Sequence, residues 1–361
     1  MTVLSLFDGI SCGRYVLDKL GINDMPYYAS EINPYATSIS ENNYPDIIRL
    51  GDVTKWRDWD IDWSSIKLVI GGSPCQGFSS AGKQGGTKAT VNGVEFIVSD
   101  RETYHTVKKA GGVFLSQSHL FWEYVLILDH VKMHNPRVAF MLENVKMSKN
   151  NLDMITSASG VAPMFINSAV LSAQNRQRYY WCNWFVPEPQ DRGLLIADIL
   201  EHDVSSEYNH TDKAVAYMNR VGATGRVKWS YGLHSEVDKG KSACVASNFH
   251  KGVPNNMLVV KYNRKDGDLG PIDKALNIGA SDYRGTNRNQ TGNAVTDGTH
   301  YRKFTPIECE RLQGLPDNYT RGVSDTQRYI AIGNCWQCDT VEHVLFWLFI
   351  FGVNRHENTP S

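Results

Sequence analysis

"LSLFDGISCG", residues 4–13, decides the fold: a short apolar run breaks into a glycine-bearing turn and continues as the start of a helical pattern. A strand covered on both faces is apolar without alternation, and Gly9 lets backbone approach closely whatever lies over the turn. This is how a βα unit opens in an α/β sheet whose ligands sit beyond the carboxyl ends of the strands. One such turn on its own is only a turn, and the next two strand ends add to it. Glu31 closes "YYASE", where an acid accepts hydrogen bonds from both hydroxyls of a ribose. Asp52 closes "IIRLGD", where a carboxylate takes an adenine amino group. Taken singly, either acid reads equally well as a surface residue. Of a Gly-x-Gly-x-x-Gly pattern only Gly9 and Gly13 are present, so adenosine with a short tail suits the turn better than a dinucleotide.

The alternation continues outward. Val3–Phe7, Tyr27–Ser30, Ile47–Leu50, Ile66–Ile70, Val138–Leu142, Phe165–Val170 and Tyr179–Trp184 are strand candidates, and Leu120–Met133 carries apolar residues every three or four positions. Such a series predicts a mainly parallel sheet covered on both faces. Residues 84–117 sit where a short connection belongs and read as an insertion near the mouth of the site. From about Pro187 glycine, asparagine and short β-like runs take over, and helical patterns return at Pro306–Leu312 and Gln337–Phe351. The division expected is a catalytic and cofactor-binding domain over 1–185, a smaller irregular β-rich domain over 186–304, and a segment over 305–361 returning to the first.

With 42% hydrophobic and 21% charged residues the composition is that of a globular protein. Seven cysteines, an odd number, argue against a secreted disulfide framework. The start reads as strand and loop rather than a signal peptide, and "VLFWLFIFGV" (344–353) is too short to cross a bilayer. A cytoplasmic protein is expected, with no membrane association and no obligate protein partner. Residues 205–304 hold 15 Lys and Arg against 9 Asp and Glu, a net +6, which leaves −7 for the rest of a chain of net charge −1. A positive segment in an acidic body points to a polyanion held on one side, or to no more than an uneven solvated surface.

"GGSPCQGFS", residues 71–79, follows the fourth strand candidate and puts Cys75 at the same sheet edge. Pro74 fixes its own φ and restricts Ser73, which stiffens the approach to the thiol. "MLENV" ends a strand with Glu143, and "QNRQRYYW" sets Arg176 and Arg178 two apart, which in a strand places both on one face. A thiol, an acid and arginines beside an adenosine site define a short list of chemistries. Cys335 and Cys338, with His343, have zinc-knuckle spacing, but the fourth position falls on Leu348, so no metal site is expected.

With these motifs in this order, "LFDGISCG", "SEINPYA", "GDV", "GGSPCQGFS", "LFWEYV", "LENV", "QNRQR", "RKFTPIECERLQGLP" and "IGNCWQ", the chain resembles the DNA cytosine-5 methyltransferases. The resemblance implies a Rossmann-like sheet binding S-adenosylmethionine, a variable target-recognition domain, and double-stranded DNA as substrate. It implies that Cys75 adds to carbon 6 of a flipped cytosine, that Glu143 contacts ring nitrogen 3 and the amine, and that Arg178, with Arg176 near it, holds the base oxygen. A free thiol is only a few per cent thiolate at neutral pH, so such a site must favour the anion. For the cofactor it implies Phe7, Asp8, Gly9, Ile10, Ser11 and Cys12 in the first turn, with Glu31, Ile32, Asp52, Val53, Pro74 and Leu120, and Asn334 and Trp336 from the chain's end. For DNA it implies Gln76, Ser79, Lys83 and Gln84 in the loop after the cysteine. Arg226, Lys228, Tyr283 and Arg284 stand in stretches that are either DNA-reading loops or solvated turns.

Three departures stand out. Ser11 and Cys12 replace two adjacent glycines and "NCW" replaces asparagine-serine-valine, both closer to the animal de novo branch of a family otherwise of bacterial or bacteriophage type. Gln117 stands where many relatives have an arginine. Two other readings stay open at this stage. The tRNA-methylating branch shares the catalytic set, though its Cys-Phe-Thr tripeptide is absent. An inert DNA-binding homologue would be expected to lose the Pro-Cys dipeptide, which is intact here.

Overall fold

β1 (Thr2–Leu6) is buried along its whole length and therefore takes neighbours on both edges. It pairs in parallel with β2 (Tyr27–Ser30) on one side and β4 (Ile66–Gly71) on the other. β3 (Ile48–Arg49) lies beyond β2, and β8 (Ala139–Val145) lies parallel beyond β4. β11 (Gln177–Cys182) runs antiparallel to β8, and β9 (Met164–Asn167) completes a seven-stranded sheet of order β3-β2-β1-β4-β8-β11-β9. The mainly parallel sheet expected from the sequence is therefore present. Strand order reverses at β1, so a crevice opens beyond the carboxyl ends of β1, β2 and β4. This computed structural model describes residues 1–75, 77–78, 88–209 and 301–352, and two-residue strands at 242–243, 261–262, 269–270 and 295–296.

Helices follow β1 and β2, and a further one matches the periodicity over Leu120–Met133. α1 (Cys12–Lys19) follows the first turn, and α2 (Pro34–Asn43) starts with Pro34 in its first turn and with Asn33 accepting the Tyr35 and Ala36 N–H groups. α4 (Phe121–His134) buries Phe121, Trp122, Tyr124, Val125, Ile127, Leu128 and Val131, each worth about 1.5–3 kcal/mol for the larger apolar side chains. It packs so close to the sheet that a Cβ on Gly71 would stand 2.9 Å from the Tyr124 ring and 3.0 Å from the Leu6 carbonyl oxygen. Only glycine fits at that strand end.

Residues 88–114 form a structure of their own. β5 (Lys88–Val91) lies between β6 (Val94–Ile97) and β7 (Val113–Phe114) in a three-stranded antiparallel sheet, with α3 (Arg101–Lys109) between β6 and β7. α3 is fastened to α4. Tyr104 Oη and Lys108 Nζ donate to the fully buried Glu123, which also accepts from Trp56 Nε1. Arg101 Nε donates to Asp129 at 2.6 Å. Three donors offset the desolvation that an unpaired buried carboxylate would suffer.

The chain divides by its contacts into two units: Met1–Ile166, Gln177–Glu188 and the segment from Val341; and Asn167–Arg176 with Pro189–Thr340. These boundaries differ from those drawn on the sequence, which returned everything from 305 to the first domain. The reason is a set of buried polar ties within the second unit. Gln174 Nε2 donates to the Leu312 carbonyl and Gln313 Oε1, Arg176 Nη2 to the Cys335 carbonyl, and Thr340 Oγ1 pairs with Ser168 Oγ. After α5 (Lys149–Ser159) of the first unit, α6 (Pro306–Leu312) opens in the second with a reciprocal cap between Thr305 and Glu308, and Glu308 also takes both Nη groups of Arg302. α7 (Asp325–Asn334) follows. α8 (Cys338–Gly352) matches the expected last helix. From Val341 it belongs to the first unit, where Trp184 Nε1 donates to the Val344 carbonyl and His343 Nε2 meets the Pro187 carbonyl. Most of the stretch expected to be β-rich lies outside the described residues. Among the described residues no helix is long and apolar enough to cross a membrane.

Candidate active site

The carboxyl edge of the sheet collects the chemistry-bearing residues of the first unit. β4 and β8 are in register from Leu68–Ala139 to Gly71–Leu142, so Glu143 stands one residue past the partner of Gly71, and the segment Ser73-Pro74-Cys75 leaves the same edge. Asn144, next to Glu143, closes the gap: its Nδ2 donates to the Ser73 carbonyl at 3.3 Å and to Ser73 Oγ at 3.1 Å, all buried. Phe78 N donates to the Cys75 carbonyl at 2.9 Å, and Gly77 and Phe78 lie in a turn. Phe78 is buried with its ring edge on Phe121. Cys75 itself is half-exposed.

Opposite strands bring the acid and an arginine together. Tyr180 faces Glu143 across the antiparallel β8–β11 pair, which makes Arg178 the diagonal neighbour on the same face. Arg178 Nε lies 2.8 Å from Glu143 Oε1, with both side chains largely buried. Such a charge-assisted pair fixes the orientation of the carboxylate.

Arg176 does not share that face. The strand breaks between β10 (Gln174–Asn175) and β11, the Arg176 amide donates to Asn167 Oδ1 and the buried guanidinium reaches the Cys335 carbonyl at 2.7 Å. The two-residue spacing predicts one face only if the strand is continuous, and here it is not. Arg176 fastens the second unit's interior.

In the crevice, Glu31 holds the first turn from across β1 and β2. Its Oε2 accepts the Gly9 N–H at 2.9 Å, and its Oε1 accepts those of Ile32 and Asn33. Ile32 leaves 68% of its surface exposed beside this carboxylate, an apolar face suited to a purine ring. Among the described residues, Asp52 accepts side-chain hydrogen bonds at Oδ1, from Thr54 N and Oγ1, and Oδ2 is left for a donor. Phe7 and Leu120 are partly buried, and Val53 is buried. Carboxylate acceptors on Glu31 and Asp52 beside the exposed Ile32 face are compatible with the hydroxyls, amine and purine of an adenosine, so the residues present fit S-adenosylmethionine.

Three first-turn residues sit differently from the expectation. Ile10, Ser11 and Cys12 are buried, so they support the turn from beneath rather than line the crevice with their side chains. Ser11 adopts φ 63°, and its hydroxyl donates to Asp8 Oδ2 at 2.5 Å and lies 2.6 Å from Ser40 Oγ. Asp8 Oδ1 accepts from Tyr27 Oη at 2.8 Å, and burial pushes the Asp8 carboxyl above the ordinary aspartate range despite these donors. Beside this group lies a cavity of about 10 Å³, lined in part by Asp8, Glu31, Ser40 and Arg49, with room for one water. Asn334, exposed at the end of α7, and Trp336, half-buried, belong to the second unit. Gln76, Ser79, Lys83, Gln84, Arg226, Lys228, Tyr283 and Arg284 all lie outside the described residues. Sequence reasoning missed Asn144 as a positioning group, although the "LENV" motif contains it.

The sequence model of the C-5 cytosine-specific DNA methylases matches residues 1–99 and 169–346. The chain belongs to that family. It is 27% identical to the type II methyltransferase M.HpaII of Haemophilus parainfluenzae, over 92% of this chain and 85% of that one. It is 25% identical to M.NlaX of Neisseria lactamica, over 92% and 91%. Among solved structures, DNMT2 of Spodoptera frugiperda superimposes with a TM-score of 0.57 at 16% identity, covering 96% of this chain and 99% of the other, a likeness of fold. The methylase is thus a DNA (cytosine-5)-methyltransferase of the bacterial and bacteriophage kind, with the Rossmann-like sheet of that enzyme class. It transfers the methyl group of S-adenosylmethionine to carbon 5 of cytosine.

Proposed function

We propose that Cys75 is the nucleophile of this transfer, that Glu143 and Arg178 together receive the target base, and that Glu31 and Asp52 hold the adenosine of the methyl donor. The observation that supports this most is the set of ties at the sheet edge: Asn144 on the Ser73-Pro74-Cys75 segment, beside the Glu143–Arg178 pair. Carbon 5 of cytosine is a poor nucleophile until a thiolate adds to carbon 6. Cys75 Sγ forms that bond, and Glu143 stabilises the proton gained at ring nitrogen 3 as the adduct forms. Arg178 opposes the negative charge that grows on the base oxygen. The bound cofactor supplies an electrophilic methyl group. After transfer, the carbon-5 proton passes to solvent, the Cys75 thiolate is expelled and the proton on ring nitrogen 3 is released, which restores the aromatic ring. The base must leave the duplex for this, at a cost of a few kcal/mol, which the positive segment 205–304 offsets through phosphate contacts. The same segment is the reader of the target sequence, and the enzyme works in the cytoplasm, where bacterial and phage DNA is found.

Cys75→Ser tests the reading. The variant should bind S-adenosylmethionine normally, transfer almost no methyl groups, and form no covalent adduct with duplex DNA carrying 5-fluorocytosine, which traps the adduct by blocking proton loss. Normal turnover by the folded variant would sink the mechanism. Parallel incorporation assays on DNA and tRNA, with DNA the expected acceptor, distinguish the two branches of the family.

A further inference from the structure

The turn that follows Cys75 is held from a second side, by a residue just beyond the inserted module. Ser118 is fully buried, and its Oγ accepts the Gly77 N–H at 2.8 Å across 41 residues of sequence. Gly77 is buried too, so this amide, two residues past the thiol, has exchanged water for one hydroxyl. Ser118 is itself fixed. Its N–H and its Oγ both face Ser116 Oγ, at 3.2 and 3.3 Å, where Ser116 caps the 3-10 turn Gln117–Leu120. His119 in that turn stacks on Phe114 of β7, ring centroids 4.1 Å apart and planes 10° from parallel. The chain of contact therefore runs from the inserted sheet, through Phe114, His119 and Ser118, to the turn of the nucleophile.

We infer that Ser118 is a positioning residue for Cys75, and that the inserted module over 88–116 buttresses the nucleophile's turn through it. Asn144 holds Ser73 on the near side of the thiol and Ser118 holds Gly77 on the far side, so Cys75 is suspended between two clamps. A buried amide deprived of its acceptor would draw the turn toward water, and a thiol displaced by about 1 Å can lose two orders of magnitude in rate. The inference rests on Cys75 being the nucleophile, which Cys75→Ser tests separately.

The experiment pairs Ser118→Ala with Ser118→Thr, and with Ser116→Ala, which removes one support of Ser118 but leaves in place the hydroxyl that accepts the Gly77 N–H. Adduct formation on 5-fluorocytosine DNA is measured at saturating S-adenosylmethionine and DNA, together with both binding affinities. Ser118→Ala should slow adduct formation roughly 10- to 100-fold with affinities within about twofold, Ser118→Thr should recover most of the rate, and Ser116→Ala should lose much less. Equal rates in Ser118→Ala and the parent, or equal losses in Ser118→Ala and Ser116→Ala, would overturn the inference. Hydrogen exchange of the unmutated enzyme gives a reading that no folding defect can obscure. The Gly77 amide should exchange far more slowly than an unstructured glycine, and free exchange there would also overturn it.

Discussion

Glu31 shows how far a single side chain can be understood from its place in the chain. Its position at the end of the second strand was enough to expect a ribose acceptor, because strand ends in such sheets converge on one crevice. Its hold on the Gly9, Ile32 and Asn33 amides was not visible in the sequence, since those bonds depend on how closely two turns approach. Glu31→Ala should weaken S-adenosylmethionine binding by about 1.5–3 kcal/mol, the range for hydrogen bonds to a charged group. Glu31→Gln, which keeps one acceptor oxygen, should lose less. Calorimetry on the folded variants is the measurement, and unchanged affinity in Glu31→Ala would place the ribose elsewhere. Arg176 is the counter-example at this scale. Its two-residue spacing from Arg178 predicted a shared face, but a break in the strand sends its guanidinium to the Cys335 carbonyl. Spacing fixes direction only where hydrogen bonding to a neighbour keeps the strand regular.

At the scale of the element, the turn between β1 and α1 carries strain that its side chains offset. Ser11 adopts a left-handed conformation that costs a non-glycine residue roughly 1–2 kcal/mol, in a family turn that usually has glycine. Its hydroxyl, bonded to Asp8 and close to Ser40, is the compensation. The existence of the turn was legible in "LFDGISCG", whereas the inward direction of Ser11 was not, because a positive φ reverses where a side chain points. Asp8 makes this element respond to pH. Its carboxyl is raised by burial, so above its unfolded pKa, near 3.8, the folded state binds the proton more tightly than the unfolded chain. Stability from this group therefore falls as pH rises through its folded pKa, and the penalty remains at neutral pH. Asp8→Asn removes the titration. The difference in melting temperature, variant minus parent, should be more positive at pH 7 than at pH 4. An unchanged or reversed difference would show that Asp8 ionises without penalty.

For the whole molecule, the motifs were legible at both ends because local sequence carries them, but the division between units was not. That depended on contacts over more than a hundred residues, such as Gln174 with Leu312 and Arg176 with Cys335. These contacts also say how the proposed reader of the DNA must be exchanged. Residues 167–176 and 305–340 are tied to one another by these bonds, so a graft of the segment between 189 and 304 that keeps Gln174, Arg176 and Gln313 preserves them. The positive charge of 205–304 should make DNA binding weaken with salt by roughly 0.9 log units per tenfold for each phosphate contact. Contacts to base edges should instead set which cytosine is modified. Replacing 189–304 with the corresponding segment of a relative of different target should move methylation, read by bisulfite sequencing, to the donor's site while Cys75 still forms the fluorocytosine adduct. A graft that folds, forms the adduct and keeps the original target would place recognition outside this segment, and the inserted module beside the nucleophile's turn would be the first element to exchange next.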